Sequence, residues 1–378
     1  MLTTLRAVTP CSEPFGCTLA VVEANELDAP NAIGPILFLD EKRQSPSKCK
    51  GRQQYTLKTV RIQQQSHALV SEIKAFIVLG ATGRQGGAVV DALLTHAEIK
   101  ILPIQVYAIT RQAAGTGADR LRERFRGINI IVGDLGNPNA IFEQLNQETL
   151  SQSGVFLAQA HGPTELPDGK AFIDAAVAHG VPYFVYSSVD RGGRELSDED
   201  PSYCKTFSDK FYVERHLKNA CSSKEVGTHN MDYTIIRPTW FADNVWWGFP
   251  GQLCITGWRD NLGGKTLQVT FTKDIGRWAV EGLVRPDRTG IRNQALSIAS
   301  DEISFAQADA AFIKHTGRGV PVTAGLLARG IMWLVKDLNT MFRFIGDRAY
   351  GADMSWLKTQ LKPTTFYEWV QSEVPKQA

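Results

Sequence analysis

From Ile73 onward, short apolar runs alternate with segments whose apolar residues recur every three or four positions. Ala75 to Leu79 is such a run, rich in β-branched and aromatic residues and closed by Gly80. It predicts a buried strand. Past Arg84 the spacing changes, and Val89, Val90, Leu93 and Leu94 fall on one side of a helix. Further strands are predicted at Ile104 to Thr110, Ile128 to Val132, Gly154 to Ala158, Pro182 to Ser187 and Tyr233 to Arg237. Helical patterns lie between most of them, notably Lys170 to His179 and Ser208 to Asn219. Strands alternating with helices of this length predict an α/β fold, a Rossmann-type doubly wound parallel sheet over residues 73–240. Residues 241–378 are expected to form a smaller C-terminal α+β domain whose chain returns to the sheet.

Residues 1–72 carry no sustained period. Ala29 to Ile36 mixes Pro, Asn and Gly, Lys42 to Arg61 is basic and polar, and Gln63 to Gln65 is a glutamine run. Too few regularly spaced apolar residues stand there to offset the entropy of ordering. The segment is expected to be an extension outside the fold, either disordered or an artefact of an upstream start codon. The basic cluster from Lys42-Arg43 through Lys50 and Arg52 is interrupted by Ser, Pro and Gln, which weakens it as a nuclear signal.

Between the first strand and its helix stands Gly80-x-x-Gly83-x-x-Gly86, with Thr82, Arg84 and Gln85 filling the turn. Glycines at this spacing let the backbone turn tightly, approach a pyrophosphate without a Cβ in the way, and pack helix against strand. The helix N-terminus then offers N–H groups to the phosphates. Strand, turn and helix in this order predict dinucleotide binding. An NAD-preferring site places an acid at the end of the second strand to hold the ribose hydroxyls. This chain has Thr110-Arg111 there. Arg111, with Arg84 as a second cation, suits a 2′-phosphate, so NADP is expected over NAD; the alternative is that Arg111 is a solvated loop residue. Asp134-Leu135 follows the third strand, where such folds hold the adenine.

Composition narrows the partners. Forty-one basic residues stand against 39 acidic ones, so bulk charge implies no polyanion, and no helix-turn-helix or zinc signature points to direct nucleic-acid contact. The most apolar stretch, Val322 to Val335, is interrupted by Arg329, and no spanning helix is expected. The six cysteines lack zinc-ligand spacing and are sparse for a disulfide framework, which fits a reducing compartment, cytoplasmic or nuclear, and no metal.

The usual short-chain dehydrogenase acid is a Tyr placed four residues before a Lys on one helix face, where the Lys lowers its pKa. No tyrosine stands four residues before any lysine here. Lys210 lies on the helix where that lysine belongs, but Thr206 occupies the tyrosine position and Tyr203 is a further turn away. Lys210 is a candidate to hold the nicotinamide ribose and to supply a proton. Gln159 and His161 follow the fourth strand on the nicotinamide side, with His161 a weaker candidate acid. Lys170, near a helix start, either reaches the cofactor or faces water. Ser187 and Ser188 end the fifth strand, where they either bind substrate or cap the next segment. The aromatic stretch Trp240-Phe241 through Asn244 and Trp247 is a candidate pocket wall with an amide handle, or else packing for the C-terminal domain. Asp274-Ile-Gly276 predicts a helix N-cap after Thr272, and Tyr350-Gly-Ala-Asp353 a turn.

Taken in order, these segments resemble the NmrA-like family, an atypical branch of the short-chain dehydrogenases. The similarity rests on Gly80-Ala-Thr-Gly-Arg-Gln-Gly-Gly87, Val106 to Arg111, Gly133-Asp-Leu135, Glu165-Leu-Pro-Asp-Gly-Lys170 and Tyr186-Ser-Ser188. It continues through Lys210 with Val213-Glu214, Arg237 to Asn244 and Asp274-Ile-Gly276, while Gly346 to Asp353 resembles the C-terminal part of fungal members. No single piece is diagnostic; order and spacing are. The resemblance covers about four fifths of the chain, from Ile73 on. It implies an NADP-binding Rossmann fold and two functional classes. One is a reductase of a small apolar carbonyl or unsaturated compound. The other is a non-catalytic NADP(H)-sensing regulator that acts through a protein partner. Many members carry His at the position of Thr206, so the departure puts acid catalysis from that position in doubt.

Overall fold

The computed structural model describes residues 19–20, 37–38, 73–96, 104–222, 230–243, 248–324 and 336–376. Residues 1–65 form a unit of their own, in which β1 (Leu19–Ala20) pairs antiparallel with β2 (Leu37–Phe38). The rest of the expectation for residues 1–72 falls outside the described residues.

The second unit, residues 66–378, is built on a seven-stranded parallel sheet. Its strands are β3 (Ala75–Leu79), β4 (Gln105–Thr110), β5 (Asn129–Val132), β6 (Ser153–Ala158), β7 (Tyr183–Ser187), β8 (Asp232–Pro238) and, later in the chain, β11 (Gln294–Ile298). The spatial order is β11-β8-β7-β6-β3-β4-β5. The chain thus starts in the middle, builds outward to β5, then crosses back to β6 and builds to the other edge. The six strands expected from the apolar runs are all present, shifted at their ends by a residue. The seventh is new: Gln-Ala-Leu-Ser-Ile has no strong period, and its place beside β8 is decided by pairing from Gln294↔Thr234 to Ile298↔Pro238.

Alternation along β3 shows how the two faces are filled. Phe76 and Val78 enter one core with Val89, Val90 and Leu93 of α1 (Arg84–Thr95), and with Ile275, Trp278 and Leu283 of α9 (Thr272–Val284). Ile77 and Leu79 enter the opposite core with Phe172 and Ile173 of α5 (Glu165–Ala178), and with Val213 and Leu217 of α7 (Lys205–Ser222). Both faces are therefore covered, as a parallel sheet requires. A third core gathers around a small sheet, order β12-β10-β9, made of β9 (Trp240–Phe241), β10 (Leu267–Thr270) and β12 (Asp301–Ile303). Its centre is aromatic, with Trp258, Phe271, Phe312, Phe366 and Trp369 buried together. Among the described residues, no helix is long and apolar enough to cross a membrane.

Asp274 is not the N-cap that its sequence position predicts. The cap of α9 is Phe271, and Asp274 lies inside the first turn. A carboxylate from outside the helix, that of Asp243, already accepts the Thr272 N–H at 2.7 Å. Asp274 instead reaches the C-terminal segment, accepting from Thr364 N at 2.8 Å and from Thr364 Oγ1 at 3.0 Å. Asp353 caps a different, later helix, Met354–Gln360, accepting from the N–H groups of Ser355 and Trp356.

Gly276 sets how α9 meets α1. A Cβ there would stand 2.3 Å from the carbonyl oxygen of Ala88, so the two backbones touch and no side chain fits between them. Gly276→Val should therefore lower stability by about 3 kcal/mol, as overpacking at a rigid backbone contact does. Denaturant unfolding checks this, and an unchanged midpoint would mean that the helices do not meet at this distance.

Candidate dinucleotide site

Strand order makes a crevice at the carboxyl ends of the strands, where the order of strand addition reverses between β3 and β6. A cleft of about 610 Å³ lies there. Its floor is the glycine turn. Gly80 adopts φ +62°, the left-handed region that favours glycine, and its carbonyl accepts the Gly83 N–H at 2.8 Å. A Cβ on Gly86 would stand 2.3 Å from that same carbonyl, so this position admits only glycine without a shift of the turn. Helix α1 begins at Arg84 with Gly83 as its cap, which offers no side-chain oxygen to the first-turn N–H groups. Those groups and the helix dipole suit an anion, and the turn fits a pyrophosphate.

One end of the cleft is bordered by Thr110, Arg111, Gly133, Asp134 and Leu135. Thr110 is buried and its hydroxyl turns back to the Gln112 carbonyl, while Arg111 stands exposed at the rim. Asp134 accepts the Gly136 N–H at 2.8 Å, folding the loop that follows β5 (Asn129–Val132). The other end is bordered by Ala158, Gln159, Ala160, Thr164, Glu165, Asp168 and Phe241. The Gln159 amide donates to the main-chain oxygen of Glu165 at 2.7 Å. The Glu165 side chain is wholly buried, with Lys210 Nζ at 2.8 Å from one oxygen and His161 Nδ1 at 3.2 Å from the other.

Of the residues the sequence singled out, Gly80, Thr82, Gly83, Arg84, Gln85, Gly86, Thr110, Arg111, Asp134, Leu135, Gln159 and Phe241 border the cleft. Ser187 reaches it through a neighbour, donating to Gln85 Oε1 at 2.6 Å. Lys210 and His161 meet it through Glu165. Lys170, half-buried on α5, is not among the bordering residues. Trp240 and Ser188 are not among the bordering residues either. Trp240 turns into the aromatic core, its ring centroid 5.6 Å from that of Trp258. Ser188 is buried and donates to Glu214. The reason is register: Trp240 and Phe241 point to opposite faces of β9, and only Phe241 faces the cleft side. Asn244 and Trp247 lie outside the described residues.

The missing acid is not supplied by a nearby tyrosine. Tyr203 is exposed and donates to Asp347 Oδ2 at 3.1 Å. Tyr186 has its ring 5.8 Å from Lys210 Nζ, but burial, reinforced by the charges of Glu165 and Glu214, pushes its phenol well above its ordinary value. Sequence reasoning missed Glu165 as a partner of Lys210, since an acid at a helix start is sufficiently explained by the helix dipole. It also missed Asp243. Burial raises that carboxyl above its ordinary range, against the pull of Thr272 and of Arg84 in the turn. Asp209 lies close as well: single ligand atoms of His161, Glu165 and Asp209 fall within 4.8 Å of one another.

A family model described as NmrA-like family matches residues 72–370. The chain belongs to the NmrA-like family. It is 30% identical to the NmrA-like family domain-containing oxidoreductase cpsB of Aspergillus campestris over 262 residues, 64% of this chain and 73% of that protein. It is 27% identical to the NmrA-like family domain-containing oxidoreductase ptmS of Penicillium ochrochloron, over 65% of this chain and 74% of the relative. Among solved structures, the NADPH-dependent quinone oxidoreductase QOR2 of Escherichia coli, complexed with NADPH, superposes with TM-score 0.60 at 20% identity, over 78% of this chain and 98% of that one. NmrA, a negative transcriptional regulator, superposes with TM-score 0.56 at 15% identity, over 80% of this chain and 96% of that one. At those identities the structural likeness speaks for the fold: a Rossmann-type sheet of the kind that binds nicotinamide dinucleotides.

In this NmrA-like chain Ser188 belongs to a buried charge network. Glu214 is met by Arg191 at 3.0 Å and by Arg237 at 2.6 Å, and Arg237 also meets Asp198 at 2.7 Å. Burial alone would raise the Glu214 carboxyl, but the two guanidinium groups outweigh it and hold it below its ordinary 4.5. A depressed pKa contributes stability that is present above the unfolded value and lost as pH falls through the folded one. Glu214→Gln should cost about 3–5 kcal/mol near neutrality, because it leaves buried cations short of their partner. In urea the gap between this variant and the unaltered protein should narrow as pH drops below 4.5. A gap independent of pH would show that the carboxylate charge is not what the network uses.

Proposed function

We propose that this NmrA-like protein is an NADP(H)-dependent reductase acting on a small apolar carbonyl, quinone or unsaturated compound. The observation that carries the reading is the cleft at the strand-order reversal, with a glycine turn across its floor and Arg111, instead of an acid, at the end of β4. A bound NADPH supplies a hydride donor. The first-turn N–H groups of α1 hold the pyrophosphate, and Arg111 with Arg84 meets the 2′-phosphate. Asp134 and Leu135 frame the adenine, while Phe241 gives the substrate side an apolar wall. Thr206 does not replace a tyrosine acid, since an aliphatic hydroxyl is far harder to ionise than a phenol. Lys210 and His161, both held on Glu165, instead bring positive charge and exchangeable protons towards a developing alkoxide.

A second reading is an NADP(H)-sensing regulator that acts through a protein partner. It is favoured by the missing Tyr-x-x-x-Lys and by a Lys210 ammonium that already has a carboxylate partner. The two readings part on turnover. Purified protein with NADPH and a panel of quinones and apolar carbonyls should show cofactor oxidation above the substrate-free rate. Binding without oxidation across the panel would favour the sensor.

Arg111→Ala should weaken NADP binding about ten- to a hundredfold, the equivalent of about 1.5–3 kcal/mol for a hydrogen bond to a charged group. NAD binding should stay nearly unchanged. Equal losses for both cofactors in a titration would show that Arg111 does not read the phosphate.

A further inference from the structure

Glu165 opens α5, and its side chain has no exposure at all. A carboxylate is costly to bury unless it is paired, and this one is paired twice, by groups from two different segments. Lys210 comes from α7 and stands 2.8 Å from Oε1; His161 comes from the loop after β6 and stands 3.2 Å from Oε2. The backbone of Glu165 is fastened as well, because the Gln159 amide donates to its carbonyl at 2.7 Å. Glu165 also stands in the first turn of α5. Around this pair lie Asp209, itself bridged to Lys205 at 2.6 Å, and the face of the Tyr186 ring. Glu165 and four neighbours in the crevice wall (Gln159, Ala160, Thr164 and Asp168) place the pair at the β6 end of the cleft, away from Arg111.

We propose that Glu165 is a positioning residue for the nicotinamide half of the cleft, a reading that rests on the NADP(H) assignment above. Its two oxygens fix where the Lys210 ammonium and the His161 ring stand, and those two groups meet the nicotinamide ribose. Glu165 borders the cleft as well, and its part is to act through the two groups that it holds. An ammonium on a four-carbon stem samples many positions, so a fixed anion under it removes the entropy that binding would otherwise cost. The convergence of His161, Glu165 and Asp209 does not make a cation site on this view. Each carboxylate already carries a lysine at hydrogen-bond distance, and the two ammonium charges oppose a divalent ion.

The test compares two ligands on the full chain, NADPH and adenosine 2′,5′-bisphosphate, which keeps the adenine and 2′-phosphate but lacks the nicotinamide half. Glu165→Gln keeps the side-chain shape and removes its charge. It should weaken NADPH binding about tenfold or more and leave adenosine 2′,5′-bisphosphate unchanged. Lys210→Met should give a loss of the same size, and the double variant should be no worse than either single one, since both act through one contact. Unchanged NADPH affinity in Glu165→Gln overturns the proposal, and so does an equal loss for both ligands, which marks collapse of the whole cleft. If Glu165→Gln does not fold, Glu165→Asp withdraws the charge by one methylene, and the same contrast between ligands decides. A rise in melting temperature with zinc or magnesium salts, lost in Glu165→Gln, would assign the cluster to a cation and overturn the proposal. If the unaltered protein binds adenosine 2′,5′-bisphosphate but not NADPH, the inference fails alone. If it binds neither, the cofactor reading fails and takes the inference with it.

Discussion

The cleft depends on how closely one backbone approaches another around α1. At its start, Gly86 lies so near the Gly80 carbonyl that a methyl group would overlap it; two residues past Gly86, the Ala88 carbonyl is met in the same way by Gly276 of α9. The helix is thus wedged between the end of β3 and a helix from late in the chain. Its axis, and with it the aim of its first-turn N–H groups, is set by backbone contact without the play of side chains. A phosphate site needs this, because its binding groups are main-chain dipoles that only the position of the helix can orient.

Two buried carboxylates, Glu214 on α7 and Glu165 at the start of α5, show opposite uses of the same physics. Glu214 is met by two arginines that are themselves wholly buried, and the set ties β8 to the segment following β7. Guanidinium groups suit that task, being planar and able to spend several donors on one carboxylate. Glu165 is met by a lysine and a histidine, whose donors are fewer and whose tips are more exposed. The first arrangement closes on itself. The second leaves a cation and an imidazole beside an open crevice, which is the arrangement a ligand site requires.

The solved quinone oxidoreductase QOR2 and the regulator NmrA both superpose on this fold, so the fold does not choose between turnover and sensing. The choice lies in the few residues at the β6 end of the cleft. There this chain replaces the phenol of the usual dyad with Thr206, half-buried, and ties up its lysine with Glu165.

The strands, their order along the chain, the glycine turn and the residues at the ends of β4 and β5 were legible in the sequence. Each is written locally, in the period of apolar residues or in the spacing of glycines that a tight turn demands. The seventh strand was not legible, because β11 is a short, weakly patterned run whose identity comes from pairing with β8. The same holds for the face that Trp240 and Phe241 present, since strand register decides which of two adjacent rings meets the cleft. Nor was it legible that Asp243, from an earlier part of the chain, accepts the Thr272 N–H while Asp274 lies inside the first turn. Most of all, the pairing of Glu165 with Lys210 joins the first turn of one helix to the middle of another. Sequence spacing orders residues on a single element; a charge pair across two elements exists only once both have packed on the same face of the sheet.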